Sequence, residues 1–234
     1  VRGLTGACFV DSHAAAKQIA LRFDHGAWLG IHLGMSGELR VERTPHARQR
    51  HDHLVLEFDD VALVYEDPRM FGRVRYSPGP DAPAWWTALA PPVLSRAFTI
   101  EALTTFLRRR ARAPIKAVLL MQEQFPGIGN WMADEVLWRA AIHPRQPAGS
   151  LRPAEIRRLW LESRRVCRLA LDTIAGRGDE LPRDLNVNIP QRWLFRHRWS
   201  DRGTCPRTGR PLARAEIGGR TTCWSPARQK LRRP

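Results

Sequence analysis

Acidic residues are scarce in this chain: 23 Asp and Glu stand against 38 Lys and Arg, giving a formal charge of +15 over 234 residues and a pI near 11.3. Solubility does not demand so large an imbalance, and a polyanionic partner is the simplest reason to tolerate the self-repulsion. Nucleic acid is therefore the expected partner. Long apolar runs are missing too. Nothing approaches the roughly 20 residues of a bilayer span, and the N-terminus "VRGLTGACFV" lacks the charged, apolar and small-residue succession of a signal peptide. These absences predict a cytoplasmic protein with no membrane association. Cysteine is sparse as well: Cys8, Cys167, Cys205 and Cys223 have no framework spacing. That excludes a disulfide-stapled fold and leaves Cys8 and Cys167 as expected buried, reduced thiols. What is present, 43% apolar residues and nine Trp, excludes disorder and suffices for two domains.

Residues 1 to about 76 read as β. "AWLGIHLGMSGELRVE" alternates Leu29, Ile31, Leu33 and Met35 against Gly30, His32 and Gly34, the period of a half-buried strand. "DHLVLEFDD" and "VALVYEDP" repeat the signal across an acidic turn. Pro78, Pro80, Pro83, Pro91 and Pro92 then interrupt regular structure, and the composition beyond them turns helical. "SRAFTIEALTTFLRR" is predicted to be an amphipathic helix, and "PIKAVLLMQEQF" a second, with Pro114 in its first turn. After "PGIGN", "WMADEVLWRAAI" is predicted as a third helix, with Met132, Val136 and Ala140 in one row and Ala133, Leu137 and Ala141 in the next. "PAEIRRLWLESRRVCRLALDTI" makes a long fourth.

Two features of the helical half point to anions. Arg108, Arg109, Arg110, Arg112 and Lys116 form a cationic cluster with no acid among them. In "PGIGNW" two glycines free the backbone, and Asn130 is expected to cap the next helix, so that amide N–H groups converge beside a helix N-terminus. The C-terminal "CPRTGRPLARAEIGGRTTCWSP" has the outline of a metal-binding hairpin with two knuckles. Tetrahedral zinc, however, needs a pair of Cys at each end. Thr208, Ser225 and Arg228 occupy positions where Cys205 would need companions.

"PGIGNWMADEVLWRAAIHP" resembles the helix, two turns, helix signature of the formamidopyrimidine-DNA glycosylase and endonuclease VIII family, which excises oxidised bases from DNA and cleaves the resulting abasic site. "HLGMSGELRV", "RHDHLVL", "DPRMFGRVRY" and "EIGGRTTCWSPARQ" support it, in the family's order. The resemblance implies an α+β protein with three parts. Residues 1–92 form an antiparallel β-sandwich, incomplete here; 93–192 form a helix-two-turn-helix DNA-binding domain; and 193–234 form a hairpin of the zincless-finger type.

By the same resemblance, Lys17 matches a lysine on an inner strand that binds phosphate near the lesion and serves in elimination. His51 matches a DNA-contacting histidine, with His53 on the same strand face. Met35, Arg69 and Phe71 match the residues that fill the gap left by an everted nucleotide, a task that suits an apolar wedge and a planar cation. Asn130 matches a phosphate-binding asparagine, and Arg220 the arginine at the finger tip, with a catalytic share. Lys116 is expected on DNA with its basic cluster. No metal or cofactor is expected, and Trp199, Leu212, Ile217 and Trp224 are expected to pack across the finger instead. The partner is double-stranded DNA with an oxidised base or abasic site, bound by a monomer.

Family members begin Pro-Glu, the proline amine attacking the sugar C1′. This chain begins "VRGL", and Gly6 precedes Lys17 by the family's interval, so the sequence reads as starting partway into the first domain. Two expectations follow. The parent is a bifunctional glycosylase and abasic lyase, with the chain as given lyase-deficient, or the chain is a DNA-binding protein that recognises duplex or lesions without cutting.

Overall fold

The computed structural model describes residues 2–175 and 185–232 and divides into two compact units, Val1–Leu89 and Ala90–Pro234. The first holds seven strands: β1 (Phe9–Ala15), β2 (Gln18–Phe23), β3 (Ala27–His32), β4 (Glu38–Arg43), β5 (Asp52–Glu57), β6 (Val61–Glu66) and β7 (Arg73–Pro78). A one-turn helix, α1 (Ala84–Thr87), follows. The strands form two antiparallel sheets, ordered β1-β2-β3-β7 and β4-β6-β5. Leu21, Leu29 and Ile31 from the first sheet share one core with Leu54 and Tyr65 from the second. The expected sandwich is present, and each fully buried aliphatic side chain such as Leu29 stabilises it by about 1.5–3 kcal/mol.

Alternation along "AWLGIHLG" predicts one wet face, yet β3 is buried on both faces over Ala27 to Ile31. The indole of Trp85 is the reason: a Cβ on Gly30 would lie 2.6 Å from its ring. Glycine lets the ring lie against the sheet, and its Nε1–H donates to Ser77 Oγ at 3.0 Å. Met35 does not continue this strand. β3 ends at His32, and Met35 falls in a turn closed by Gly34 at φ +69 and by the Gly37 N–H on the Leu33 carbonyl at 2.9 Å. Cys8 is exposed and Cys167 half-buried, so only Cys205 and Cys223 are fully buried thiols.

The second unit contains α2 (Ile100–Arg109), α3 (Ile115–Val118), α4 (Asn130–Ala140), α5 (Pro153–Thr173) and a hairpin of β8 (Ala213–Ile217) and β9 (Arg220–Trp224). Thr99 caps α2 by accepting the Ala102 N–H at 3.1 Å, and Leu103 and Leu107, one turn apart, enter the core. The predicted second helix is much shorter than its apolar pattern. Past Val118 the chain turns, because the Gln122 amide donates to the Leu120 and Ile128 carbonyls and accepts the Gly127 N–H. Pro114 is the cap of α3 rather than a first-turn residue. Both predicted rows of α4 reach the core except Ala141, which is exposed and left-handed at φ +55 and ends the helix.

The hairpin packs on α4. Its core consists of Leu212, Cys205 and Cys223 with Trp138 from α4 and Leu194. Leu212 is where the pattern placed it, but Trp199 is 60% exposed. Trp224 meets His143 edge to face, ring centroids 5.3 Å apart, outside the hairpin. A two-stranded ribbon has too little apolar area to stabilise itself, so its core draws on the helix behind it. Of the unpatterned loop near 176–192, residues 176–184 lie outside the described residues. No helix among the described residues is long and apolar enough to cross a membrane.

Candidate nucleic-acid interface

In the first unit, Met35, Arg69 and Phe71 occupy two adjoining turns. All three are exposed, Met35 to 61% and Phe71 to 57%, and the Arg69 guanidinium lies 4.9 Å above the Phe71 ring. The turns meet backbone to backbone: a Cβ on Gly34 would come within 2.6 Å of the Gly72 nitrogen. Between Arg69 and Phe71 stands Met70, 73% exposed and left-handed at φ +56. A left-handed backbone at a solvent-facing methionine costs about 1 kcal/mol or more and persists only where the surroundings impose it. Sequence reasoning passed over Met70, whose flanking residues carried the resemblance.

Lys17 is not on a strand. It is the second residue of the β1–β2 turn, with Ala16 at φ +48 and Lys17 at φ +67, between the Ala15–Gln18 pair. Two left-handed non-glycine residues in a two-residue hairpin mark a turn usually built from Asn-Gly. Lys17 lines a cavity of about 450 Å³ with Gln18, His32 and Gly34. A second cavity, of about 260 Å³, joins His32 to Phe71, Arg73 and Arg75. His32 was read as the polar side of an alternating strand, and nothing local distinguished it. Burial, with Lys17, Arg73 and Arg75 nearby, holds its pKa below the usual histidine value. Its Nδ1 accepts the Gly34 N–H at 3.1 Å, which leaves a neutral ring with Nε2–H as donor. His51 is half-buried in the turn before β5, not on the strand. His53 is the bulge residue of β5, and its Nε2 meets the Asp67 carbonyl at 2.9 Å; the two histidines share no strand face.

In the second unit the basic cluster divides. Arg108, Arg109 and Arg112 are exposed, while Arg110 pairs with Glu123 at 3.1 Å. Lys116 is fully buried, which overturns its expected place on DNA. Its Nζ lies 2.5 Å from Asp134 Oδ1 and 2.7 Å from the Asn130 carbonyl. Burial lowers its pKa against the opposing pull of Asp134. The other oxygen of Asp134 accepts Arg198 Nη2–H at 2.7 Å and the Cys223 N–H at 3.0 Å. Asn130 is the first residue of α4, and Gly129 is its cap. The Asn130 amide donates to the Thr221 carbonyl at 2.9 Å, while its Oδ1 is buried without a partner. Amides of the first helical turn have no intrahelical acceptor, and at "PGIGN" the expected asparagine cap is absent, Gly129 standing there with no side-chain bond. Arg220 is exposed directly after the Gly218–Gly219 turn, both glycines left-handed at φ +62 and +71. Gly218 also packs against α3: a Cβ there would meet the Ala117 Cβ at 2.7 Å.

The chain matches the family model of the formamidopyrimidine-DNA glycosylase N-terminal domain over residues 1–74 and that of the formamidopyrimidine-DNA glycosylase H2TH domain over 89–178. It is 37% identical over 230 residues to the formamidopyrimidine-DNA glycosylase of Roseiflexus sp. (strain RS-1), covering 92% of this chain and 79% of that one. The chain belongs to the formamidopyrimidine-DNA glycosylase family. Among solved structures, Lactococcus lactis formamidopyrimidine-DNA glycosylase bound non-covalently to abasic-site DNA superposes with a TM-score of 0.83, at 25% identity over 98% of this chain and 84% of that one. The Thermus thermophilus protein gives 0.78 at 32% identity, over 97% and 85%.

Within this formamidopyrimidine-DNA glycosylase fold, the finger has both knuckles with a single sulfur, that of Cys205. The Cys205 carbonyl accepts the Thr208 and Gly209 amides, and the Ser225 carbonyl accepts those of Arg228 and Gln229. Between them lies a hydrogen-bonded thiol. Burial would raise the Cys205 pKa, but bonds from the Thr208 side chain and from Trp138 Nε1–H at 3.3 Å outweigh it and bring it to about 7. Arg207 and Arg228 lie over the Trp138 ring at 4.6 and 5.7 Å. One thiol, a threonine, a serine and a guanidinium do not fit a zinc ion. Among the described residues no group of three or more His, Cys, Asp or Glu could hold a metal ion.

Proposed function

We propose that this chain is a base-excision-repair DNA glycosylase with abasic-site lyase activity, acting as a cytoplasmic monomer on oxidised bases in duplex DNA. The observation that carries this reading is the set of Met35, Arg69 and Phe71, three exposed side chains on touching turns. An exposed Met–Arg–Phe cluster costs solubility and stabilises no core. It suits the gap left when a nucleotide leaves the stack, since a thioether and a stacked guanidinium–phenyl pair can replace base contacts. Lys17 is assigned the phosphate beside the lesion and a part in elimination, at a turn whose backbone holds its position. His51 is assigned a further DNA contact, and neutral His32 a hydrogen-bond donor to the same cavity. Asn130 and Arg220 take phosphates at the α4 N-terminus and the finger tip, where unpaired amides and a cation favour an anion.

Two assays on one protein preparation test the proposal. Binding is compared on duplexes with and without a tetrahydrofuran abasic analogue, and borohydride trapping is run on an abasic-site duplex. Selective binding is expected. Equal affinity for the intact and abasic-analogue duplexes would refute the assignment; a covalent adduct would show that this chain supplies the attacking amine, and its absence would favour a lesion-binding protein that does not cut.

A further inference from the structure

The two turns that carry Met35, Arg69 and Phe71 meet at one buried carboxylate. Asp67 is 1% exposed. Its Oδ1 accepts the Ser36 hydroxyl at 2.9 Å and the Arg69 N–H at 3.3 Å. The other oxygen, Oδ2, accepts the Gly72 N–H at 2.7 Å and the Tyr65 hydroxyl at 3.2 Å. Ser36 follows Met35 and Gly72 follows Phe71, so each void-filling residue is bonded to Asp67 through itself or its neighbour. The Asp67 carbonyl also accepts the Met70 N–H at 3.1 Å and faces His53 Nε2. Tyr65 anchors the carboxylate to the core, and a Cβ on Gly72 would overlap its hydroxyl oxygen at 1.6 Å.

We propose that Asp67 is a positioning residue for lesion recognition, which fixes the Met35 turn against the Arg69–Phe71 turn so that the three side chains enter the base stack as one preformed wedge. This rests on the glycosylase reading above. Side chains held in one arrangement before binding lose less freedom on entering DNA. The four hydrogen bonds to Asp67 join segments separated by 31 residues at Ser36 and by two to five on the other side. Burial by itself would raise the pKa of this carboxyl, but the donors from Gly72, Ser36, Tyr65 and Arg69 hold it below the usual range, so it is an anionic acceptor throughout the physiological range. Asparagine can keep its oxygen towards Gly72 and Tyr65 and turn its amide to the Ser36 hydroxyl, which accepts as readily as it donates, and it loses only the long Arg69 N–H bond at 3.3 Å. Alanine keeps none of these bonds.

The test uses the full chain and a duplex carrying a tetrahydrofuran abasic analogue, with 2-aminopurine in the opposite strand facing the gap. Wild type should bind this duplex selectively and raise the 2-aminopurine signal as the wedge enters. Asp67→Ala should lose the signal and weaken gapped-duplex binding by about tenfold or more, while binding to intact duplex stays within about twofold. Asp67→Asn, which keeps three of the four bonds, should restore most of both readouts. In a double-mutant cycle, Asp67→Ala combined with Met35→Ala should be no worse than the more severe single variant, because both disable one wedge. If Asp67→Ala does not fold, Ser36→Ala decides, since it cuts only the tie to the Met35 turn and should lower the signal in the same direction. A wild-type signal in Asp67→Ala, additive losses in the cycle, or equal weakening on both duplexes would overturn the positioning role. Failure of wild type to prefer the gapped duplex would instead overturn the glycosylase reading.

Discussion

Asp134→Ala is the most severe single perturbation that the helical unit offers away from its apolar core. The carboxylate is 1% exposed and lies between two buried cations, Lys116 at 0% and Arg198 at 4%. It also holds β9 through the Cys223 N–H at 3.0 Å. Removing one partner of a buried ion pair costs about 3–5 kcal/mol, because the survivor is left charged in a dry site. Here two cations lose their counterion, so the loss belongs at the upper end. For a unit of this size each kcal/mol moves Tm by roughly 2–4 °C, and a fall of about 10–20 °C is expected. The pH dependence identifies the cause. Burial already holds the folded pKa of Lys116 below its ordinary 10.5, and without Asp134 it falls further. Over the window between these two folded pKa values, Lys116 is neutral in the variant and charged in wild type, so the deficit shrinks as pH rises through that window. The Arg198 guanidinium also loses its acceptor, so part of the loss persists. Urea titration of both proteins at several pH values between about 6 and 10 measures this. A deficit under about 1 kcal/mol, or one independent of pH, would refute the buried-triad account.

Phosphate contacts should make binding fall steeply with salt, log affinity declining linearly with log salt concentration. Asn130→Ala and Arg220→Ala should each weaken duplex binding by roughly 1–3 kcal/mol; affinity indifferent to salt, with both variants binding normally, would remove the phosphate assignment. The Cys205 thiol, with a folded pKa of about 7 against an ordinary 9.0, contributes stability present above 9 and lost as pH falls through 7. Cys205→Ser should abolish this rise between pH 7 and 9 in thermal melts, and a wild-type slope in the variant would place its origin elsewhere. Protein prepared in metal-free buffer should carry well under one zinc per chain, with Tm unchanged by chelator; stoichiometric zinc would contradict the hydrogen-bonded finger.

Legibility followed the range of the interactions. The β half announced itself through its apolar runs, although β3 proved buried on both faces and β1 carries no alternation; α2, α4 and α5 did so through apolar rows that recur every three to four residues. Met35, Arg69, Phe71, Asn130 and Arg220 were named through the resemblance; all but Asn130 stand exposed, and Asn130 begins α4 with its amide on the Thr221 carbonyl. Lys116 was misread for a physical reason: a lysine four residues beyond a run of arginines looks like one more surface cation. Only its partner Asp134, 18 residues on, reveals that it is inside. Gly30 misled in the same way, since the missing side chain leaves room for Trp85 from a helix 55 residues later.

The two cationic tips make the division of labour concrete. At the finger, Gly218 and Gly219 adopt the left-handed turn without strain and leave Arg220 as the first residue of a regular strand. At the β1–β2 turn, Ala16 and Lys17 take the same backbone shape themselves, at a cost of about 1 kcal/mol or more apiece. A glycine pair there would relieve the strain but delete the ammonium. Strain is thus present where the cation is itself a turn residue, at Lys17, and absent where it is only the neighbour of the turn, at Arg220. Met70 departs from this pattern: its left-handed backbone lies between Arg69 and Phe71, neither of which has a positive φ. Positive φ at Ala16, Lys17 and Met70 is a signal that side-chain patterns in the sequence do not carry, because the residues involved are ordinary in composition and unusual only in conformation.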